Sequence, residues 1–112
     1  MILYNVTLSI DADIAPEWLE WMQNKHIPDV LATGMFVSCR ICRIRGYEEG
    51  GMSYSIQYVC PTEAAYRRYQ EEFAPALQQE HMARYHGKFA AFRTELEILG
   101  EWTLHSPPHG TA

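Results

Sequence analysis

The chain has 112 residues, 47% of them hydrophobic and 21% charged, which is enough for one domain with a packed core. Its 9 Lys and Arg are outnumbered by 14 Asp and Glu, and the formal net charge of −5 argues against the basic face that nucleic-acid binding requires. No stretch approaches the roughly 18 uncharged apolar residues of a membrane span, so we expect neither a nucleic acid nor a membrane as a partner.

The first predicted element is a strand over residues 2–10, in which the side chains alternate with a period of two. One face is formed by Ile2, Tyr4, Val6, Leu8 and Ile10, and the other by Leu3, Asn5, Thr7 and Ser9. Asp11 and Asp13 supply turn and N-cap chemistry, and Pro16 suits the first turn of the helix that follows.

That helix carries two tryptophans, Trp18 and Trp21, whose spacing predicts that both indoles face the same side. Because a proline disfavours helical geometry at the residue before it, Pro28 is predicted to break or kink the helix at Ile27. Asp29 would then lie in the first turn of a short second helix, which a Thr-Gly pair ends.

The rest of the chain predicts three more strands and a long helix. They are a strand over 35–45, a hairpin loop over 46–51, a strand over 52–60, a helix that opens at 61–63 and ends at Gly87, and a strand over 88–99. Pro75 is predicted to divide or kink the long helix. Residues 1–100 form one domain, Glu101-Trp102-Thr103-Leu104 could add a short edge strand, and residues 105–112 are expected to be a flexible tail.

Strand, helix, hairpin, helix, strand is the order of the ferredoxin-like βαββαβ fold, an α+β arrangement with a four-stranded antiparallel sheet and helices on one face. The first and third strands are then central, with the fourth beside the first and the second beside the third. We expect the helices to cover the sheet face led by Tyr4, Val6, Ile56, Tyr58, Phe92 and Leu96.

The other sheet face is predicted to carry a polar set made of Asn5, Thr7, Ser9, Ser53, Ser55, Gln57, Arg93 and Glu95, which either Arg40 or Arg43 could join. Leu3, Val59, Phe89 and Ala91 are assigned to the same face, and a second copy of the chain would cover them. Two copies stacked sheet to sheet form a barrel that encloses the polar set. The alternative is a face that is simply hydrated.

Several segments resemble a known family. They are Trp18-Leu19-Glu20-Trp21, His26 to Gly34, Tyr54-Ser55-Ile56-Gln57-Tyr58, Ala74-Pro75-Ala76-Leu77 and Gly87 to Thr94. They resemble the dimeric α+β barrel (ferredoxin-like) superfamily and, within it, an uncharacterised bacterial domain-of-unknown-function family, over nearly all of residues 1–99. The resemblance implies a homodimer with ligands bound between helices and sheet or inside the barrel. Superfamily relatives include antibiotic-biosynthesis-type monooxygenases, haem-degrading oxygenases, muconolactone isomerases and stress-responsive barrel proteins, so the activity stays open.

His26 and Asp29 are the candidate catalytic residues, because an imidazole beside a carboxylate can act as an acid–base pair near neutral pH. In this hypothesis Asp29 orients His26, and Trp18 and Trp21 wall the site. The alternative is structural: His26 ends the first helix and bonds a backbone carbonyl, while Asp29 caps the second helix.

The cysteines and the remaining histidines favour no metal, redox or other cofactor site. Cys39 and Cys42 have C-x-x-C spacing but lie in a predicted strand, where residues three apart point to opposite faces. His81 and His86 are five apart, off the helical spacing that lets two side chains hold one ion, and predict a hydrated helix end. Three cysteines, an odd number, without a secretory leader predict reduced thiols and a cytoplasmic protein.

The candidate ligand-binding residues are Trp18, Trp21, Asn5, Thr7, Ser55, Gln57, Arg93 and Glu95. The planar guanidinium of Arg93 could bind a carboxylate or another anion, unless it pairs with Glu95. The predicted function is therefore binding of a small organic, anionic molecule, with or without cofactor-independent catalysis. The alternative is a non-catalytic structural or interaction dimer.

Overall fold

A computed structural model describes residues 1–46 and 49–104. Its elements are β1 (Ile2–Asp11), α1 (Ala15–Trp21), a π-helical turn (Met22–His26), α2 (Ile27–Ala32), β2 (Ser38–Arg43), β3 (Gly51–Cys60), α3 (Glu63–Arg68), a second π-helical turn (Tyr69–Phe73), α4 (Ala74–Tyr85) and β4 (Phe89–Glu97). Residues 101–104 belong to no strand, so the predicted edge strand is wrong. The tail predicted over 105–112 lies outside the described residues.

The four strands form one antiparallel sheet in the order β2-β3-β1-β4. This order confirms the ferredoxin-like βαββαβ prediction, with β1 and β3 in the centre. Both helical segments lie on one face, which we call the covered face; the opposite side is the open face. None of the described helices has the length and apolar character needed to cross a bilayer.

The covered face holds the core, because β1 and β3 turn large apolar side chains toward the helices. The buried residues include Tyr4, Leu8, Ile10, Trp18, Val30, Phe36, Tyr54, Ile56, Tyr58, Tyr66 and Tyr69. Tyr4 alone has four aromatic neighbours with ring centroids 5.6–6.1 Å away. The core is therefore largely aromatic, and several of its rings carry a hydroxyl into the interior.

The prediction of which β4 side chains face the helices is wrong, because the two alternating sets lie on the opposite faces from those expected. In the observed register Val6 lies opposite Arg93 and Thr7 lies opposite Phe92. Since residues directly opposite each other share a face, the covered face carries Phe89, Ala91, Arg93 and Glu95, and the open face carries Ala90, Phe92, Thr94 and Leu96. Phe92 and Leu96 are consequently 63% and 43% exposed instead of covered by the helices.

Both helical segments pass through a proline without breaking. Ile27 keeps helical geometry (φ −62°, ψ −46°), and its N–H donates to the Met22 carbonyl five residues earlier. A proline in a helix removes one backbone hydrogen bond and crowds the carbonyl four residues before it. The wider π turn ahead of Pro28 provides that room, and the same arrangement precedes Pro75. The helix therefore continues through a π turn at the position where a break or kink was predicted.

The open face carries a hydrogen-bonded chain of uncharged polar side chains. Gln57 donates to Ser55 (3.1 Å), Ser55 donates to the Asn5 carbonyl oxygen (2.6 Å), and Asn5 donates to Thr7 (3.0 Å). The register also places Arg40 on this face, opposite Gln57, and Arg43 on the covered face.

Candidate functional site

A cavity of about 50 Å³, partly open to solvent, lies between the helices and the covered face of the sheet. It is lined by Tyr4, Val6, Leu8, Met22, His26, Ile56, Tyr58, Tyr69, Leu77, Gln78, His81, Phe89, Ala91 and Arg93. This volume is enough for a few water molecules. A mostly apolar wall with a few convergent polar groups is typical of a small-molecule site.

His26 lies at this cavity because it is the last residue of the first π turn. Its ring stacks on Trp21 at 5.2 Å between centroids, and its buried Nδ1 has no hydrogen-bond partner among the described residues. Burial lowers the pKa of His26, and the carboxylates of Glu80 and Asp29 offset only part of this effect. The predicted bond from His26 to a backbone carbonyl as a helix cap is not formed.

Asp29 does not orient His26. Its carboxylate accepts a hydrogen bond from Lys25, one turn earlier on the exposed side of the helix. The spacing of three residues across Pro28 brings Asp29 near His26 in sequence, but the helical path continues and directs Asp29 away from the cavity. The structure therefore does not form the predicted His26–Asp29 pair.

His81 is a cavity residue that the sequence reasoning placed at a hydrated helix end. It is only 7% exposed, and its Nε2 accepts a hydrogen bond of 2.9 Å from the indole N–H of Trp18. Burial, with smaller effects from His26 and Arg93, lowers its pKa to about 4. The spacing of Leu77, His81 and Tyr85, four residues apart on one helical face, is the signal that could have found it.

The two tryptophans stand behind the histidines and do not line the cavity. Trp18 is fully buried, packs against Tyr54 and donates to His81. Trp21 is half-buried and holds the ring of His26 by stacking. The predicted walls of the site are thus supports for the groups that line it.

Arg93 lines the cavity from β4, on the covered face. Among residues 1–46 and 49–104, no carboxylate forms an ion pair with it. The predicted partner Glu95 instead accepts a hydrogen bond of 3.0 Å from Tyr66. Burial raises the pKa of Tyr4, and contacts of its hydroxyl with Arg93 and Gln78 offset part of this rise.

The predicted ligand-binding set is therefore divided between the two sides of the sheet. Asn5, Thr7, Ser55 and Gln57 lie on the open face, whereas Arg93 and Glu95 lie on the covered face. The four uncharged residues cannot share a site with Arg93 within one protomer. The cavity instead joins Arg93 to His26, His81, Gln78 and three tyrosines.

A family model described as "Domain of unknown function (DUF4286)" matches residues 1–99. The chain belongs to this family. The search of curated proteins found no match to this DUF4286 chain.

Solved structures share the fold of this DUF4286 domain at low sequence identity. HapK from Hahella chejuensis has a TM-score of 0.71 and 16% identity, over 94% of this chain and 99% of that chain. A dimeric ferredoxin-like protein from an uncultured marine organism has a TM-score of 0.70 and 11% identity, over 93% and 100%. SnoaB, a cofactor-independent oxygenase from Streptomyces nogalater, has a TM-score of 0.63 and 15% identity, over 89% and 95%. These similarities establish the fold.

The three cysteines of the DUF4286 chain are free thiols. Cys39 lies opposite Tyr58 and Cys42 lies opposite Ser55, so they point to opposite faces of the sheet, as predicted. Burial raises the pKa of Cys39 to about 11, which keeps it a thiol. Within the described ranges, no three His, Cys, Asp or Glu side chains lie close enough together to hold a metal ion.

Proposed function

We propose that this DUF4286 domain binds a small organic anion in the cavity between its helices and its sheet. The observation that carries this proposal is the guanidinium of Arg93, which lines a mostly apolar cavity and has no carboxylate partner among the described residues. A guanidinium presents parallel N–H donors that match the two oxygens of a carboxylate. The hydroxyl of Tyr4 lies beside the guanidinium, and the amide of Gln78 lies beside that hydroxyl, so both are further donors.

Proton transfer is a second capability of the same cavity. Burial lowers the pKa of both His26 and His81, so both imidazoles are neutral at neutral pH. A neutral imidazole can accept a proton from a bound molecule. An acid–base role for His26 therefore remains a prediction, now without Asp29, and binding of the anion does not depend on it.

Arg93→Met is expected to weaken binding of propionate, a carboxylate small enough for a cavity of about 50 Å³, by about 10- to 100-fold. This range corresponds to the loss of a charge-assisted hydrogen bond of about 1.5–3 kcal/mol. Titration of a 15N-labelled sample by NMR gives the dissociation constant and shows which residues respond. Arg43→Met is the matched control, because Arg43 lies on the covered face of β2 outside this cavity. Equal weakening by both substitutions, or no response in the cavity of the unsubstituted protein, would refute the proposal.

We also propose that two copies pair through their open faces. The solved ferredoxin-like neighbour from the marine organism is dimeric by its own description. Here the open face exposes Phe92 (63%) and Leu96 (43%), and a partner sheet would remove both from water. This pairing is also the basis of the alternative function, an interaction dimer without catalysis.

Sedimentation of the protein should give about twice its mass of 13.0 kDa. The double substitution Phe92→Lys, Leu96→Lys should shift it to the monomer, because buried unpaired charges oppose association. Met82→Lys is the control, since Met82 is 43% exposed on α4, on the helical side of the molecule. The pairing is contradicted if the unsubstituted protein is a monomer, or if the protein with both lysine substitutions still forms a dimer. The predicted cytoplasmic location and the expected absence of a cofactor stay predictions.

A further inference from the structure

We infer that Trp18 fixes His81 as a hydrogen-bond donor toward the cavity, and that the bound anion therefore carries a second acceptor oxygen, as a 2-oxo acid does. This inference deepens the proposed function. The tautomer of His81 stands on its own, whereas the statement about the ligand rests on the proposed function. It concerns a residue pair, Trp18 and His81, that links the core to the cavity.

The hydrogen bond between the two rings determines where the proton of His81 sits. An indole N–H can only donate, so the Nε2 that accepts from it at 2.9 Å has no proton. A neutral imidazole carries one proton, which must then be on Nδ1. Protonation of both nitrogens would bring an N–H of His81 against the N–H of Trp18.

The surroundings hold this arrangement in place. Trp18 is fully buried, and the His81 ring packs edge-on against Phe89 with centroids 4.4 Å apart. His26 and Arg93 are the titratable groups whose charges oppose protonation of His81. With the pKa of His81 lowered to about 4, the neutral ring persists throughout the neutral range.

The Nδ1–H of His81 is available to a ligand. It has no hydrogen-bond partner among the described residues, and it is not fully enclosed as Nδ1 of His26 is. His81 lines the cavity and its Nε2 points at Trp18, which does not line it, so we assign Nδ1–H to the cavity side of the ring.

The other polar groups of the cavity also supply donors, beside the acceptor atoms of the tyrosine hydroxyls and of His26. Arg93 has no acceptor atom, and burial raises the pKa of Tyr4 and Tyr69, which keeps their hydroxyl protons in place. Gln78 is the one lining amide with an acceptor oxygen. Two donors, Arg93 and His81, therefore favour a ligand with two acceptor groups: a carboxylate at Arg93 and a carbonyl oxygen at His81.

The first experiment needs no ligand. Imidazole 15N chemical shifts at neutral pH should show His81 with its proton on Nδ1, and Trp18→Phe should abolish this preference because Nε2 loses its donor. Trp21→Phe is the control, since Trp21 makes a ring contact and no hydrogen bond with His81. An unsubstituted His81 that is protonated on Nε2, or a preference that survives Trp18→Phe, overturns the assignment. The first of these outcomes is decisive even if Trp18→Phe fails to fold.

The second experiment compares pyruvate with propionate, two small carboxylates that differ by an oxo oxygen in place of two hydrogens. One neutral hydrogen bond predicts about 2- to 10-fold tighter binding of pyruvate. His81→Leu should remove this preference, whereas Arg93→Met should weaken both ligands. Equal affinities in the unsubstituted protein, or a preference that persists in His81→Leu, overturn only the statement that the ligand carries a second acceptor oxygen. If neither anion binds, the proposed function and the statement about the ligand are both refuted, whereas the tautomer result stands separately.

Discussion

Trp18→Ala is expected to lower the free energy of unfolding by about 3–5 kcal/mol, the usual cost of removing a large aromatic side chain from a core. Trp18 is completely buried, with 0% of its surface exposed. Its ring packs against that of Tyr54, with centroids 4.8 Å apart. The substitution also leaves Nε2 of His81 without its donor. Since a domain of this size has a total stability of about 5–15 kcal/mol, urea unfolding followed by circular dichroism should show a large shift of the midpoint.

Trp21→Ala is the matched control for this prediction. Trp21 is half-buried and makes ring contacts with His26 and a cation–π contact with Arg84 at 5.5 Å. It lacks a hydrogen bond within the described residues, so its removal should cost clearly less than that of Trp18. Similar costs for the two substitutions would contradict the account of Trp18 as the buried support of His81.

The second large effect is a loss of stability in acid. The pKa of His81 is lowered to about 4 in the folded protein, against 6.5 for an ordinary histidine. Between these values the unfolded chain binds the proton more tightly, so the free energy of unfolding falls as the pH falls from 6.5 toward 4. At about 1.4 kcal/mol for each pH unit, the loss from His81 reaches about 3 kcal/mol. His26, whose pKa is also lowered, changes the curve in the same direction.

Urea unfolding at a series of pH values between about 4 and 7.5 measures this dependence. His81→Gln keeps a polar side chain but cannot titrate, so its stability should fall less steeply in acid than that of the unsubstituted protein. His86→Gln is the control, because His86 is exposed after α4. Parallel curves for the protein and His81→Gln would contradict a buried neutral imidazole at this position.

Much of the fold could be predicted from local patterns. The alternation of side chains in β1 and β3 and the glycine after α4 identify elements whose observed bounds differ by a residue or two. Gly87 has φ +74°, a conformation that favours glycine and ends the helix. The strand order then followed from the order of the elements, because few topologies join them with short connections.

The face of β4 could not be predicted in the same way. The set that includes Phe92 and Leu96 is uncharged and mostly apolar, whereas the other set includes Arg93 and Glu95, so alternation alone favours the wrong face. A shift of one residue moves every side chain to the opposite face. Only the pairing with β1 determines the register, and pairing is a property of the folded sheet.

The site was predicted in part for the same reason. His26 and Arg93 were identified because their chemistry is unusual in their surroundings, but the cavity that joins them exists only once the helices cover the sheet. Asp29 was assigned from its nearness in sequence, which the uninterrupted helix made irrelevant. His81 was overlooked because it was considered together with His86, five residues later, as part of a hydrated helix end, although its own side chain is buried.

Each π turn holds one residue more than a regular α-helix would use over the same length. A relative that lacks the extra residue has every later side chain of that helix rotated by about 100° around the axis. At the position equivalent to His26, such a relative would present an adjacent residue of the helix to the cavity. Alignments of DUF4286 members should therefore treat a one-residue gap at 22–26 or 69–73 as a change of binding-site chemistry, even where the flanking residues are identical.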